Sequence, residues 1–531
     1  MPMRKSILWV DDEIELLRAH VRFLETRGYD VTPVSGGDEA IRLLKENRNA
    51  YDIVLLDKQM PAKSGFNTLV EMRALQPDLP VVMVTGYQYS GDIMSTKKID
   101  GCLTKPLDHN QMLLVCKRII DSRNSPPPSG KFVDAYVRSY TENKARIAER
   151  LNASGWLALC GSLAKWDVLL DSAQSEGVRQ MHTGFKSDSR KKFCDFVIEN
   201  YSEWVNGRSK RPFMPIDVMG KIIAPELSAG RSVLMVVLNG MSLDQFFCVE
   251  PELEGRFSLS GARFMSMLPT TGCVGIASLA SGYYPDELSE AEPEIFDPDA
   301  DIYSADVMKR LMAMGLARAG AGKVKAVYAN AAGANAKRRM ASVAEAMKKA
   351  PAFGIVTLDI MDMFINGPAV KGDKASGRAA LDEAALRGQI RAWFAASSVL
   401  DMMKEVCGDL CTVVLTSGHG HVLASRPAEV YEAPKISGGL RCMFSKQAAG
   451  DDRALLIIDE LPHFRLPRHA PQTKCLIARE DYFFVSAERL GRVKKTYVNT
   501  FRCGGVSPEE MVLPVYVCRP KTPDEKTAAE E

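Results

Sequence analysis

The chain contains no CxxC pair, no run of 18 or more apolar residues and almost no net charge. Its 12 cysteines are scattered over 531 residues, a usage that reads as buried thiols in a reducing cytosol, not as a disulfide framework. Cys407 and Cys411 come nearest to a metal pair, spaced as one helical turn, and are read as core thiols. Without a long apolar run no membrane-spanning helix is expected. The opening MPMRKSILWVDD offers no signal-peptide core, so the expected location is cytoplasmic. A balance of 68 basic and 66 acidic residues leaves a charge of +2, too little for a global field that would draw nucleic acid or an anionic membrane. No helix-turn-helix pattern with a clustered basic helix is visible, which argues against a DNA-binding output. Nor is there an internal repeat.

What is present is ordinary for a globular protein: 46% apolar and 25% charged residues. The length exceeds what one core fills, so two to four domains are expected. Residues 1–122 alternate short apolar strands (ILWVDD, YDVTPVS, DIVLLD, PVVMVTG, GCLTKP) with helical patterns. Five such units form a parallel doubly wound sheet whose chemistry sits beyond the strand C-termini. Asp11 and Asp12 end the first strand, Asp57 the third, Thr85 the fourth and Lys105 the fifth, so all five should meet in one crevice. Phosphoryl transfer needs a hard cation and a lysine around the acceptor. Asp12 and Asp57 are expected to hold Mg²⁺, with Asp11 acting through water and the Gln59 carbonyl completing the set. Asp57 then attacks as a carboxylate nucleophile, Lys105 contacts the phosphoryl group and Thr85 hydrogen-bonds it.

Along its whole length this segment resembles the receiver domain of two-component response regulators, through VDD, LLDKQMP, VTG and LTKP. The resemblance implies a sensor histidine kinase as partner. Receivers usually carry Tyr or Phe three residues before the lysine, where this chain has Cys102.

Three prolines in NSPPPSGK (Asn124 to Lys131) end the last receiver helix. Residues 123–212 show amphipathic patterns and no strand, which predicts a connector of three to four helices. Trp156, Trp166 and Trp204 are core candidates, with a dimer interface as the other reading. RSKRP (Arg208 to Pro212) reads as a solvated loop.

Residues 213–519 offer strands in RSVLMVVLN, KVKAVYANAA, FGIVTLDIMD, CTVVLTSGHG and RALLIIDE. A second mainly parallel sheet with helices on both faces follows, with sites expected past the strand ends at Asn239, Asp362 and Ser417 to His421. Order and flanking residues resemble the PglZ domain of the alkaline phosphatase superfamily, carried by VLMVVLNGMSLDQ, FMSMLPTTGCVGIASLASGYYP, RAWFAASSVLDMM, TVVLTSGHGHV and TYVNTFRCGGVSPEEMVLPV. The order receiver, helical segment, PglZ domain resembles PorX-type response regulators, which implies two-component control connected with type IX secretion.

Active members of that superfamily hold two Zn²⁺ ions around a Thr or Ser nucleophile. Carried over residue by residue, the family's first-strand Asp is Asn239 here, its nucleophile Gly272, and its Asp-x-x-x-His pair Asp362 and Asn366. Its Asp-His-Gly becomes Gly418, His419 and Gly420, and its last His is Cys503. Asp362 and His419 remain, and two dispersed ligands do not hold a zinc pair, so the Zn²⁺ pair is expected to be absent. The alternative is a rebuilt site, in which Thr271 slips into the nucleophile position and His421, Asp362, His419 and Cys503 gather one metal for phosphodiester or phosphatase chemistry. His421 is otherwise read as a polar residue on an exposed loop, and Asp244 as a helix N-terminal acid. A third reading keeps the pocket as a nucleotide sensor, with Arg231, Arg256 or Arg263 at the phosphates.

The expected class is therefore α/β multidomain: a receiver (1–122), a helical connector (123–212), a PglZ-like domain (213–519) and a disordered tail (520–531). The expected function is a response regulator phosphorylated on Asp57. Its output would run through a protein partner of a catalytically degraded domain, with a homodimer through the helical segment.

Overall fold

The computed structural model describes residues 5–47, 50–61, 63–85, 99–105, 107, 112–113, 115–116, 119–120, 130–173, 175–296, 301–332, 335–348, 351–360, 363–364, 382–431, 441–447, 449–467, 469–486 and 497–521. The chain divides into two compact units, one centred on Met1–Gly130, the other holding Lys131–Asp171, Glu176–Lys374 and Asp382–Glu531.

In the first unit, β1 (Lys5–Val10), β2 (Tyr29–Val34), β3 (Ile53–Asp57), β4 (Val81–Thr85) and β5 (Gly101–Thr104) form one parallel sheet in the order β2-β1-β3-β4-β5. Helices α1 (Arg18–Thr26), α2 (Gly37–Glu46) and α3 (Gly65–Leu75) connect the first four strands. β3 and β4 are buried at every residue, as unbroken apolar runs must be when helices cover both faces. Odd and even positions feed separate cores: Ile7, Trp9, Ile53 and Leu55 pack in one, Leu8, Val10, Val54 and Leu56 in the other. All strands run the same way, so their C-terminal ends gather the polar residues at one edge.

The second unit opens with three helices, α4 (Gly130–Ala148), α5 (Ala153–Asp171) and α6 (Glu176–Val205). Their apolar faces share one cluster with the α/β segment, where Trp156, Phe193, Val197, Tyr201 and Trp204 meet Met265, Leu268, Val274, Ile458 and Met511. Trp156 and Trp204 are therefore core residues. Trp166 packs edge-on against Phe132 and Tyr136 and donates its indole N–H to Ser139 Oγ at 2.8 Å.

The large sheet is built from β6 (Ser232–Asn239), β7 (Phe257–Met265), β8 (Lys325–Asn330), β9 (Ala352–Asp359), β10 (Cys411–Thr416) and β16 (Val512–Pro520). Their order is β7-β16-β10-β6-β9-β8. β10, β6, β9 and β8 run parallel, while β16 and β7 close one side antiparallel. Every residue of β6 is buried; Val233, Met235 and Val237 pack with Ile276 and Leu279 of α8 (Gly272–Ser281) and Met308 and Leu311 of α9 (Ala305–Arg318). One expected strand goes elsewhere. RALLIIDE supplies β13 (Leu455–Ile458), which lies in a separate three-stranded sheet with β12 (Cys442–Ser445) and β14 (Lys474–Ala478), in the order β12-β14-β13. A four-residue apolar strand fits either sheet, and its antiparallel pairing with β14 decides the matter. Among the described residues no helix is long and apolar enough to cross a membrane.

Glu226, ahead of β6, ties three distant segments. It accepts from Arg231 Nε at 2.8 Å, Thr412 Oγ1 at 2.6 Å and Arg519 Nη2 at 2.7 Å. Burial pushes its carboxyl up, but hydrogen bonds from Arg231, Thr412 and Arg519 outweigh that and bring it down to about 2. A carboxylate held below its ordinary value of 4.5 contributes stability above that value and loses it as pH falls toward 2. Glu226→Gln should thus lower stability near pH 7 and flatten the decline between pH 4.5 and 2, read by urea unfolding across that range. An unchanged acid limb would count against this assignment.

Candidate functional sites

In the first unit, Asp11 follows β1, Asp57 ends β3, Thr85 ends β4 and Lys105 follows β5. Asp11, Asp57 and Thr85 are buried, whereas Asp12 is exposed. Lys105 Nζ lies 2.8 Å from Asp57 Oδ2, 2.9 Å from Asp11 Oδ2 and 3.8 Å from Glu13. Main-chain N–H groups fix the carboxylates: Glu13 donates to Asp11 Oδ1 at 2.9 Å and Gln59 to Asp57 Oδ1 at 3.2 Å. Burial raises the Asp11 carboxyl above its ordinary range, against the lowering hydrogen bond from Lys105. On Lys105 burial acts downward, but the hydrogen bonds to Asp57 and Asp11 win and the ammonium is held on more firmly. Ligand atoms of Asp11, Asp12 and Asp57 all lie within 4.8 Å of one another. Three carboxylates so close, in reach of one lysine, suit a small hard cation, and the cluster is consistent with Mg²⁺. The side chain of Cys102 lies outside the described residues.

The second unit gathers polar residues past its strand ends. Asn239 ends β6, directly opposite Asp359 at the end of β9. Between them stands Tyr303, whose hydroxyl accepts from Asn239 Nδ2 at 2.6 Å and donates to Asp359 Oδ2 at 2.9 Å. Asn239 Oδ1 in turn accepts from the Gly418 N–H at 3.3 Å. Gly272 starts α8 after the cap residue Thr271. A Cβ placed on Gly272 would lie 3.2 Å from Asn239 Nδ2, 3.4 Å from the Tyr303 hydroxyl and 3.7 Å from His419 Nε2. Position 272 thus faces this pocket, and the Thr271 hydroxyl instead meets Cys273 Sγ at 3.3 Å.

His419 is buried, its Nδ1 bonded to the Gly420 carbonyl at 2.8 Å. Burial lowers its basicity, so the ring is neutral at pH 7. Cys503 also belongs here; burial pushes its thiol up to about 12. A Cβ placed on Gly418, the position where a carboxylate is expected from the sequence resemblance, would meet Gly275 C at 2.7 Å and Ile276 N at 2.9 Å. The main chain of α8 lies directly against that position.

Asp362 and Asn366 lie outside the described residues. Asp359, three residues before Asp362, is the carboxylate the structure places at the strand end. Its one sequence signal was its place at the end of FGIVTLD. Tyr303 carried no motif, because its role comes from a loop remote in sequence from β6 and β9. Against the expectation of an exposed loop residue, His421 is 2% exposed, donates from Nδ1 to the Gly240 carbonyl and accepts from Gln245 Nε2 at 2.9 Å. Gln245 lies in α7 (Leu243–Glu254), so the imidazole fastens the 417–421 loop to that helix. Asp244 is in the first turn of α7 but buried, paired with Arg387 at 2.7 Å. Cys407 and Cys411 do not share a helix; Cys407 caps one and Cys411 starts β10.

Residues 7–117 match the response regulator receiver domain, 129–205 the PorX response regulator linker domain and 218–517 the BREX system PglZ alkaline phosphatase-like domain. A similar protein is the transcriptional regulatory protein CpxR homolog of Haemophilus influenzae, 34% identical over 137 residues, covering 25% of this chain and 58% of that one. Two-component system protein A of Emericella nidulans is 30% identical over 115 residues, covering 21% and 17%. The chain thus spans less than two thirds of the length of these relatives. Among solved structures, a receiver domain protein from Clostridium thermocellum is 28% identical, covering 23% of this chain and 97% of that one, with a TM-score of 0.21. The first unit, with its acidic crevice, defines a two-component response regulator. The PglZ match takes in 300 of the 531 residues, and the chain belongs to the PglZ family as a PorX-type response regulator: receiver, linker and PglZ domain in that order.

Proposed function

We propose that Asp57 accepts a phosphoryl group from a sensor histidine kinase and that the PglZ-like domain answers through protein contact, without hydrolysis. Asp11, Asp12 and Asp57 would hold Mg²⁺ with the Gln59 carbonyl, and the ion supplies charge against the phosphoryl oxygens. The Asp57 carboxylate attacks phosphorus in line with the departing imidazole. Lys105, now paired with Asp57 and Asp11, turns its ammonium to the incoming oxygens, and Thr85 at the end of β4 hydrogen-bonds them. The added dianion is the signal. Outputs are a downstream protein partner and association between copies through the helical segment, where Val137 and Met181 are 41% and 39% exposed.

The observation that carries the loss of hydrolysis is Gly418. Replacement of a ligand by glycine could leave an open site, but here the Gly275 and Ile276 main chain fills the space a carboxylate would need. Asn239 is also committed, through Tyr303 to Asp359 and through Gly418. Purified full-length protein should therefore retain fewer than two Zn²⁺ per chain and leave a generic phosphodiester intact. Gly418→Asp should fail to restore zinc and should destabilise the domain, because its Cβ collides with main chain. Two tightly held zinc ions, or diester cleavage lost on Asp359→Asn, would overturn this reading.

A further inference from the structure

β12 pairs antiparallel with β14, with Cys442 opposite Ile477 and Phe444 opposite Cys475. Alternation along a strand puts Cys442, Phe444, Cys475 and Ile477 on one face. Their sulfurs meet: Cys442 Sγ lies 3.9 Å from Cys475 Sγ. Elsewhere Cys194 turns its thiol to the Val506 carbonyl and Cys407 to that of Cys518. The two members of the pair differ in access. Cys442 is half-buried and Cys475 is fully buried.

We propose that Cys442 and Cys475 form a reversible intrachain disulfide when the protein meets a hydroperoxide. The Cys442 thiol gives up its proton, its sulfur attacks one peroxide oxygen, the O–O bond breaks, and the departing oxygen takes that proton and leaves as water (from hydrogen peroxide) or an alcohol, with a sulfenic acid at Cys442. The Cys475 sulfur then displaces hydroxide from that sulfur, its proton leaving with the hydroxide as water. Two thiols lose two electrons and the peroxide gains them. Burial holds the Cys475 thiol well above its ordinary pKa, so the first attack falls to the half-buried Cys442.

The fold allows the closure. The sulfurs must approach from 3.9 Å to about 2.05 Å, so one strand has to move. β12 is at the edge of its sheet and β14 at its centre, and an edge strand held by one ladder yields more easily. The movement would be felt next door. A Cβ on Gly504 would lie 3.2 Å from Cys442 Cβ, so Cys442 abuts the loop that carries Cys503 into the pocket. The bond would couple oxidation to the wall of that pocket, whether or not the pocket holds a metal.

The test uses the reduced full-length chain, treated with hydrogen peroxide and mapped by differential alkylation and mass spectrometry. The expected result is loss of two titratable thiols, a linked peptide pair carrying Cys442 and Cys475, and full reversal by dithiothreitol. In Cys475→Ser, Cys442 should stop at the sulfenic acid and be captured by dimedone. Cys442→Ser, at the half-buried position, should keep its thiol count under the same treatment, which protects the test should Cys475→Ser misfold. Alkylation of both cysteines after treatment, or Cys442 linked to a different partner, would overturn the proposal.

Discussion

Asp57→Asn is expected to abolish phosphoryl uptake from acetyl phosphate and Mg²⁺, read as loss of the added mass in intact-protein spectra. The side chain is 5% exposed, and asparagine matches its volume, so the receiver should keep its circular dichroism. What disappears is the nucleophile: a neutral amide does not attack phosphorus. Lys105→Met makes a graded companion. Its ammonium lies 2.8 Å from Asp57 Oδ2 and 2.9 Å from Asp11 Oδ2, and a hydrogen bond to a charged group contributes roughly 1.5–3 kcal/mol. Realised at the transition state, that corresponds to about a ten- to hundredfold fall in the rate of uptake. Phosphoryl label that persists in Asp57→Asn would move the acceptor elsewhere, with the exposed Asp12 the next candidate.

The receiver crevice could be read from the sequence because its geometry is periodic. Five apolar runs alternate with helices, parallel strands point their ends one way, and residues at five strand ends must then be neighbours. The second site resisted the same logic. β6, β9 and β10 were visible as apolar runs, but the residues that occupy the pocket are set by loops and by pairing offset. Asp359, three residues before Asp362, ends β9 as the carboxylate opposite Asn239. Tyr303 reaches that spot from a segment 64 residues beyond Asn239, a distance over which no local pattern speaks. His421 lies between Gly420 and Val422 with no periodic pattern to place it; its two ring nitrogens bridge the Gly240 carbonyl and Gln245. The antiparallel partners β7 and β16 were also unassigned as strands. FSLSGARFM alternates and carries a glycine, and VLPVYVCRP has an internal proline, which lowers any strand expectation. Pro514 nonetheless sits in β16, opposite Arg263 of β7.

Arg441→Met is expected to cost the second unit about 3–5 kcal/mol, the range for stranding one member of a buried ion pair. Arg441 and Glu510 both have fully buried side chains. The guanidinium donates through Nε at 2.9 Å and Nη2 at 2.6 Å to the two carboxylate oxygens, and also to the Glu480 carbonyl at 2.8 Å and the Tyr482 carbonyl. Glu510 lies in α11 (Pro508–Met511) and further accepts from the Gly505 N–H at 2.8 Å and the Ser507 hydroxyl at 2.7 Å. Methionine fills much of the volume but leaves a carboxylate buried with two neutral donors, and strips two carbonyls of theirs. The residual donors place the expected cost nearer the lower end of the range. Glu510→Gln should also destabilise, by removing the counter-charge and leaving a fully buried guanidinium. Because the two side chains act as one unit, the double variant should cost less than the sum of the singles. The effect should be local as well as global: with Glu510 no longer drawn to Arg441, amide exchange should quicken at Gly504 and Gly505, beside Cys503 in the pocket. Urea unfolding of the full chain and hydrogen exchange read both consequences. Single variants within about 0.5 kcal/mol of the parent, the scale of ordinary surface changes, would mean that solvent reaches this pair.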